Sequence, residues 1–114
     1  MNTVAANELK KMLERDPVAL LINVLSEEDF EEAHIPGSAN IPVTRKDFVE
    51  RAEELAGGKN RPMVVYCATA DCAASREAAR KLEEAGFADV YDFEGGMAAW
   101  LDAQQYVERP DKNP

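Results

Sequence analysis

Cysteine is scarce in this chain: of 114 residues only Cys67 and Cys72 carry a thiol, and a single histidine, His34, accompanies them. Two cysteines are too few for the disulfide framework of a small secreted domain or for a structural zinc site. With one histidine beside them, no metal centre and no cofactor is expected. Basic side chains are also in deficit, 13 against 22 acidic ones, which leaves a formal net charge of −9. Such a surface repels phosphate backbones and anionic headgroups, so neither nucleic acid nor membrane is an expected partner. Long apolar runs are missing too. Nothing approaches the roughly 20 residues that cross a bilayer, and Met1-Asn2-Thr3-Val4 has no basic head leading into a hydrophobic stretch. A soluble cytoplasmic protein is expected. With no exposed apolar stripe evident, the monomer is the default state.

What is present is 46% hydrophobic and 31% charged sequence, enough apolar matter for one compact domain and too much for disorder. A chain of this length buries roughly two thirds of its unfolded surface and needs no staple to fold. Apolar stretches alternate with amphipathic ones, the pattern of an α/β domain built on a mostly parallel sheet. Leu9, Met12 and Leu13 mark a first surface helix that ends before Asp16-Pro17. Val18 to Val24 reads as a central strand buried on both faces. Ser26, with Asp29 three residues on, opens a helix through Glu32, and Pro36-Gly37 stops it. Ala39 to Ile41 is a short strand. Thr44 is expected to cap a helix with Phe48, Ala52 and Leu55 on one face, closed by Gly57-Gly58. Met63 to Tyr66 is the most strand-like segment and runs directly into Cys67. A loop follows, then a helix from about Ala74 that carries Ala78, Leu82 and Ala85 and stops at Gly86. Val90 to Phe93 is a strand, Gly95-Gly96 a turn that needs positive φ, and Met97 to Tyr106 a last helix with Met97 and Trp100 in the core. The tail from Val107 reads as a frayed end.

Chemistry concentrates at Cys67. A cysteine at the C-terminal end of a buried parallel strand, followed by a short loop into a helix, stands where open α/β sheets hold their ligands. The loop Ala68-Thr69-Ala70-Asp71-Cys72-Ala73-Ala74 is made mostly of small side chains, so its N–H groups, with that of Ser75, can converge on the sulfur. Those donors and the positive end of the following helix favour thiolate over thiol and hold an anion beside it. The alternative is an inert buried thiol at a strand end. Cys72 is either a small loop residue or a resolving or relay thiol for Cys67. His34 is read as a locally packed residue rather than a catalytic base, and Asp71 as one that tightens the loop.

Three segments carry a family resemblance over nearly the whole length: Glu28-Asp29-Phe30-Glu31-Glu32-Ala33-His34-Ile35-Pro36-Gly37-Ser38-Ala39-Asn40-Ile41-Pro42, Val64-Val65-Tyr66-Cys67, and Phe93-Glu94-Gly95-Gly96-Met97-Ala98-Ala99-Trp100. In this order and at these distances they resemble a single-domain rhodanese, the sulfurtransferase homology domain, here over residues 1–106 with 107–114 as the tail. The resemblance implies a five-stranded mostly parallel sheet with helices on both faces. It also implies a cysteine, matching Cys67, that takes sulfane sulfur as a persulfide and passes it to a thiophilic acceptor. The expected donor is thiosulfate, a small persulfide or a protein persulfide.

Departures from the family pattern bear on the donor. Many members carry Cys, two variable residues, Gly, one variable residue and Arg; here Ala70 and Cys72 occupy the Gly and Arg positions. Counted back from Ser75, which matches the family serine, Ala74 stands where Arg is expected, and the loop is about two residues longer. The loop arginine is therefore missing, which weakens the case for thiosulfate. Arg45, just after the Ile41-Pro42 motif, and Arg76, in the first turn of the helix, are candidates to replace it. Asn23-Val24-Leu25 stands where Asp-Val-Arg is commoner. Two other readings stay open: a Cys67/Cys72 dithiol-disulfide redox protein, and a catalytically silent module of the same fold that binds a partner. Related phosphatases and arsenate reductases place Arg six residues after the nucleophile, where this chain has Ala73, and phosphoryl transfer is ranked low.

Overall fold

A computed structural model describes residues 2–15, 19–69 and 71–103. Its elements are β1 (Asn2–Thr3), α1 (Ala6–Arg15), β2 (Leu20–Asn23), α2 (Glu27–Glu32), β3 (Ala39–Asn40), α3 (Phe48–Ala56), β4 (Met63–Tyr66), α4 (Ala74–Glu84), β5 (Val90–Phe93) and α5 (Gly96–Asp102). The five strands form one sheet in the order β1-β5-β4-β2-β3, and every pairing is parallel. The α/β expectation with a five-stranded sheet therefore holds. Among the described residues no helix is long and apolar enough to cross a membrane.

β4 is the middle strand, and all four of its residues are buried. Because side chains alternate across a strand, its two sets feed two cores. Met63, Val65 and Cys67 join Ile22, Phe48, Ala52, Ala78, Ala79 and Leu82 on the side covered by α3 and α4. Val64 and Tyr66 join Leu9, Ile35, Phe93, Met97 and Trp100 on the side covered by α1 and α5. A parallel sheet needs both faces covered, and alternate βα units supply the two layers.

Most boundary signals act as read. Ser26 caps α2, its hydroxyl accepting the Asp29 N–H at 3.1 Å, and Gly57 closes α3 in the left-handed region at φ 75°. Gly86, at φ 95°, follows the end of α4. Three expectations change. Thr44 does not cap α3: two successive turns, Arg45 N–H to Pro42 O and Phe48 N–H to Arg45 O, take up that stretch, and the cap position falls to Asp47. Leu55 lies off the buried face with 42% of its surface exposed, while Phe48 and Ala52 are buried. α2 does end at Glu32 as read, but its stop is Ala33, already extended, and not Pro36-Gly37. The expected strand start at Val18, loop residue Ala70, the end of the last helix beyond Ala103 and the tail 107–114 lie outside the described residues.

Candidate active site

The Ile35–Asn40 segment fixes the end of β4 from one side. The Tyr66 phenol accepts the Ile35 N–H at 3.0 Å and meets the Ser38 hydroxyl at 2.9 Å, while Ser38 Oγ donates to Ile35 O at 2.7 Å. Burial raises the Tyr66 pKa, which keeps the phenol protonated as a donor. Asn23 and Asn40 stabilise the neighbouring strand end. Asn23 Oδ1 accepts the Leu25 N–H at 2.9 Å, and Asn40 Nδ2 donates to Leu25 O at 2.9 Å and to Asn23 O at 3.1 Å. Asn23 and Asn40 thus close the turn after β2 through the Leu25 backbone.

From below, α5 grips the first residues of the loop. The Met97 and Ala98 N–H groups donate to the carbonyls of Cys67 and Ala68, at 2.9 and 3.0 Å. This close approach is why Gly96 must be glycine: φ is +59°, and a Cβ there would overlap the Cys67 carbonyl oxygen. Gly95 has a different reason, since its φ is ordinary and a Cβ would collide with Ala99. The turn reading of Gly95-Gly96 is right for the backbone of Gly96, and the contact with Cys67 is what it misses.

Cys67 is fully buried at the C-terminal end of β4. Its sulfur meets that of Cys72, and the two are joined as a disulfide with Cα atoms 6.5 Å apart. Cys67 Sγ also lies 3.5 Å from Cys72 O and 4.0 Å from Thr69 O. The Cys72 N–H is directed to Thr69 O at 3.1 Å, so in the paired state the loop turns this amide inward on itself rather than toward the sulfur. Thr69, Asp71 and Ala73 are exposed, and Ala68, Cys72 and Ala74 are half-buried. α4 starts directly after, with no side-chain cap on its first turn, so its free N–H groups and positive dipole end lie beside the cysteine loop.

Ser75 is buried in that first turn and hydrogen-bonds the Asp92 carboxyl. Asp92 sits beside Val65 in the sheet register, one residue set below Cys67 on the same face. It is 1% exposed, and its Oδ1 has no partner among the described residues. Burial pushes its pKa up; the Ser75 hydroxyl pulls it down, Glu94 pushes it up and Arg76 pulls it down. Asp92 is the group that sequence reasoning missed. Its only signal is an acid in the middle of the otherwise apolar strand Val90-Tyr91-Asp92-Phe93.

The two candidate arginines part company. Arg45 is committed to Asp47 through both arms of its guanidinium, at 2.7 and 2.9 Å, which raises its pKa and lowers that of Asp47. Arg76 is exposed on α4, close enough for its charge to act on Asp92. His34 packs locally: its ring stacks on Phe30 at 3.8 Å, and Nδ1 lies 2.9 Å from Phe30 O.

Comparison with known proteins adds a family to this geometry. Residues 5–103 match the model of the Rhodanese-like domain. The chain is 32% identical over 99 residues to an HTH-type transcriptional regulator of Mycobacterium tuberculosis, a match covering 87% of this chain and 41% of that protein. It is 32% identical over 101 residues to the thiosulfate sulfurtransferase GlpE of Shewanella oneidensis, covering 88% of this chain and 92% of GlpE. The chain therefore spans about two fifths of the first relative and nearly all of the second. The solution structure of the rhodanese-like domain of the Alr3790 protein from Anabaena superposes with a TM-score of 0.82 at 27% identity, covering 100% of this chain and 85% of that one.

Proposed function

The chain belongs to the rhodanese-like domain family, and from that premise we propose that it is a sulfurtransferase whose Cys67 carries sulfane sulfur as a persulfide. The observation that carries this reading is the position of Cys67, at the C-terminal end of the middle strand, with its carbonyl anchored by α5 and its sulfur beside the uncapped start of α4. A thiolate there is favoured by the helix dipole and by loop amides, and the described loop residues Ala68, Thr69, Asp71, Ala73, Ala74 and Ser75 are the ones proposed to surround the anion. Cys67 thiolate attacks the outer sulfur of the donor and expels sulfite or a thiolate; the outer sulfur of the persulfide then passes to a thiophilic acceptor. One thiol loaded and unloaded in turn gives ping-pong kinetics.

The missing loop arginine and the commitment of Arg45 to Asp47 shift donor preference away from the dianionic thiosulfate and toward small or protein persulfides, with Arg76 the guanidinium left on α4 beside the loop. The domain works with a sulfur donor and an acceptor in the cytoplasm, with no nucleic acid or membrane partner. The test is mass spectrometry of the reduced chain after exposure to thiosulfate and, separately, to glutathione persulfide. One sulfur gained on the Cys67 peptide and removed by cyanide is the expected result, and Cys67→Ser abolishes it. Turnover that survives Cys67→Ser overturns the reading.

A further inference from the structure

Cys72 is the reactive group that sulfur transfer leaves unused. Loop and strand bring it to one atom in particular: the Sγ of Cys67, not the space beyond it where a donor would stand. Three constraints converge on that meeting. The Cys67 backbone is held by β4 and by the Met97 amide, a turn from Thr69 O to the Cys72 N–H folds the loop back, and α4 begins two residues after Cys72. The 6.5 Å between the Cα atoms lies within the span natural disulfides use.

We propose that Cys72 is a resolving thiol that discharges the Cys67 persulfide as hydrosulfide, so that the chain acts as a dithiol-dependent reductase of sulfane sulfur. The inference rests on the sulfurtransferase reading of Cys67. The Cys72 thiol gives its proton to solvent, and the thiolate attacks Cys67 Sγ. A bond forms between the two cysteine sulfurs, the bond from Cys67 Sγ to the outer sulfur breaks, and the outer sulfur leaves as hydrosulfide with the bonding pair. The two cysteines together lose two electrons and the sulfane sulfur gains them. A dithiol reductant then opens the Cys67–Cys72 disulfide by two exchange steps and restores both thiols.

The choice of sulfur decides the chemistry. Attack on the outer sulfur makes Cys72 a relay that holds the persulfide next; attack on Sγ makes it a resolver that ends the persulfide. The pair in this fold joins Cys72 to Sγ, and a step within one loop competes favourably with acceptors that must arrive from solution. The small loop side chains leave the turn free to close, and the half-buried Cys72 remains reachable by the dithiol that resets it.

The decisive experiment uses the whole chain, reduced, freed of reductant and mixed with one equivalent of glutathione persulfide, with sulfide measured colorimetrically and the protein by intact and peptide mass. Wild type is expected to release one sulfide per chain and to end two hydrogens lighter, with the Cys67 and Cys72 peptides joined. Cys72→Ser is expected to stop at one added sulfur on Cys67 and to release sulfide roughly ten-fold more slowly or less. Equal sulfide release by the two proteins overturns the proposal. So does added sulfur found on Cys72, which makes it a relay, or a glutathione adduct on Cys67 in Cys72→Ser, which makes the sulfide a by-product of mixed-disulfide formation. Failure of Cys67 to gain sulfur from any donor, in wild type and Cys72→Ser alike, instead removes the sulfurtransferase reading, and the resolving role with it.

Discussion

Tyr66 and Cys67 are consecutive residues at the end of one strand, and they look into two differently finished halves of the molecule. On the Tyr66 side, the phenol, the Ser38 hydroxyl and the Ile35 amide and carbonyl close a ring of hydrogen bonds. On the Cys67 side, the Asp92 carboxyl is buried with Oδ1 unpartnered among the described residues, and two sulfurs replace hydrogen bonds with a bond that can be opened. Buried polar groups are normally satisfied. The Tyr66 side has an unpartnered atom too, Asn23 Nδ2, among the described residues, so what sets the Cys67 side apart is the bond between its two sulfurs, and chemistry is expected there.

The strongest way to break this contrast is to damage what both halves share. α5 ties down the Cys67 carbonyl from its first turn and sends Trp100 into the Tyr66 core. Gly96→Val imposes a side chain on a positive φ and drives a Cβ against the Cys67 carbonyl, a cost of roughly 3 kcal/mol or more. Urea denaturation should show that loss, and sulfur loading of Cys67 should fall with it. A Gly96→Val protein with unchanged stability would mean that α5 does not hold the loop.

A smaller effect sharpens the contrast. Tyr66→Phe removes the phenol that receives the Ile35 N–H and is expected to lower stability by about 1–2 kcal/mol. Since the ring lies on the far side of the sheet, loading of Cys67 in the folded fraction should stay near that of the wild type. A loss of loading beyond that explained by unfolding would show that the two halves are not separable.

The third effect is the smallest and depends on pH. The Asp92 pKa is raised in the folded chain, first by burial, so folding favours the protonated acid. Its contribution is present in full below the ordinary carboxylate value and is lost as pH rises through the raised folded value. Asp92→Asn should therefore be the more stable protein at pH 7, by about 1 kcal/mol, with the difference vanishing toward low pH. Thermal midpoints of the two proteins compared between acid and neutral pH test the sign; a deficit for Asp92→Asn at neutral pH would mean that the carboxylate is stabilised by contacts rather than strained by burial.

Local signals in the sequence were strong wherever one residue type does one job. The Ser26 cap, the left-handed Gly57 and the apolar run into Cys67 were all legible, because capping, positive φ and strand burial are nearest-neighbour physics. Thr44 misled, since a good capping residue also suits the turns that the chain takes before Asp47. Leu55 misled for a related reason: helical spacing from Phe48 names a face but not where the sheet beneath it ends. β1 has no signal of its own in the sequence, for Asn2–Thr3 has two exposed residues and is defined only by its partners Tyr91 and Asp92. At the site, Cys67 was legible from its strand, whereas the meeting with Cys72, the α5 amides on the loop and the burial of Asp92 arise between distant segments. They needed the fold.

The anchoring of the cysteine loop has a consequence for redesign. Its first carbonyls are held by Met97 and Ala98, and the Ala73 carbonyl at its far end is held by Glu77 of α4. The stretch between is therefore a cassette with clamped ends, which can be lengthened, shortened or rewritten while Cys67 keeps its place at the end of the strand. Under the sulfurtransferase reading, donor choice would be exchanged as a unit, by grafting a new insert of a few residues rather than by rebuilding the domain.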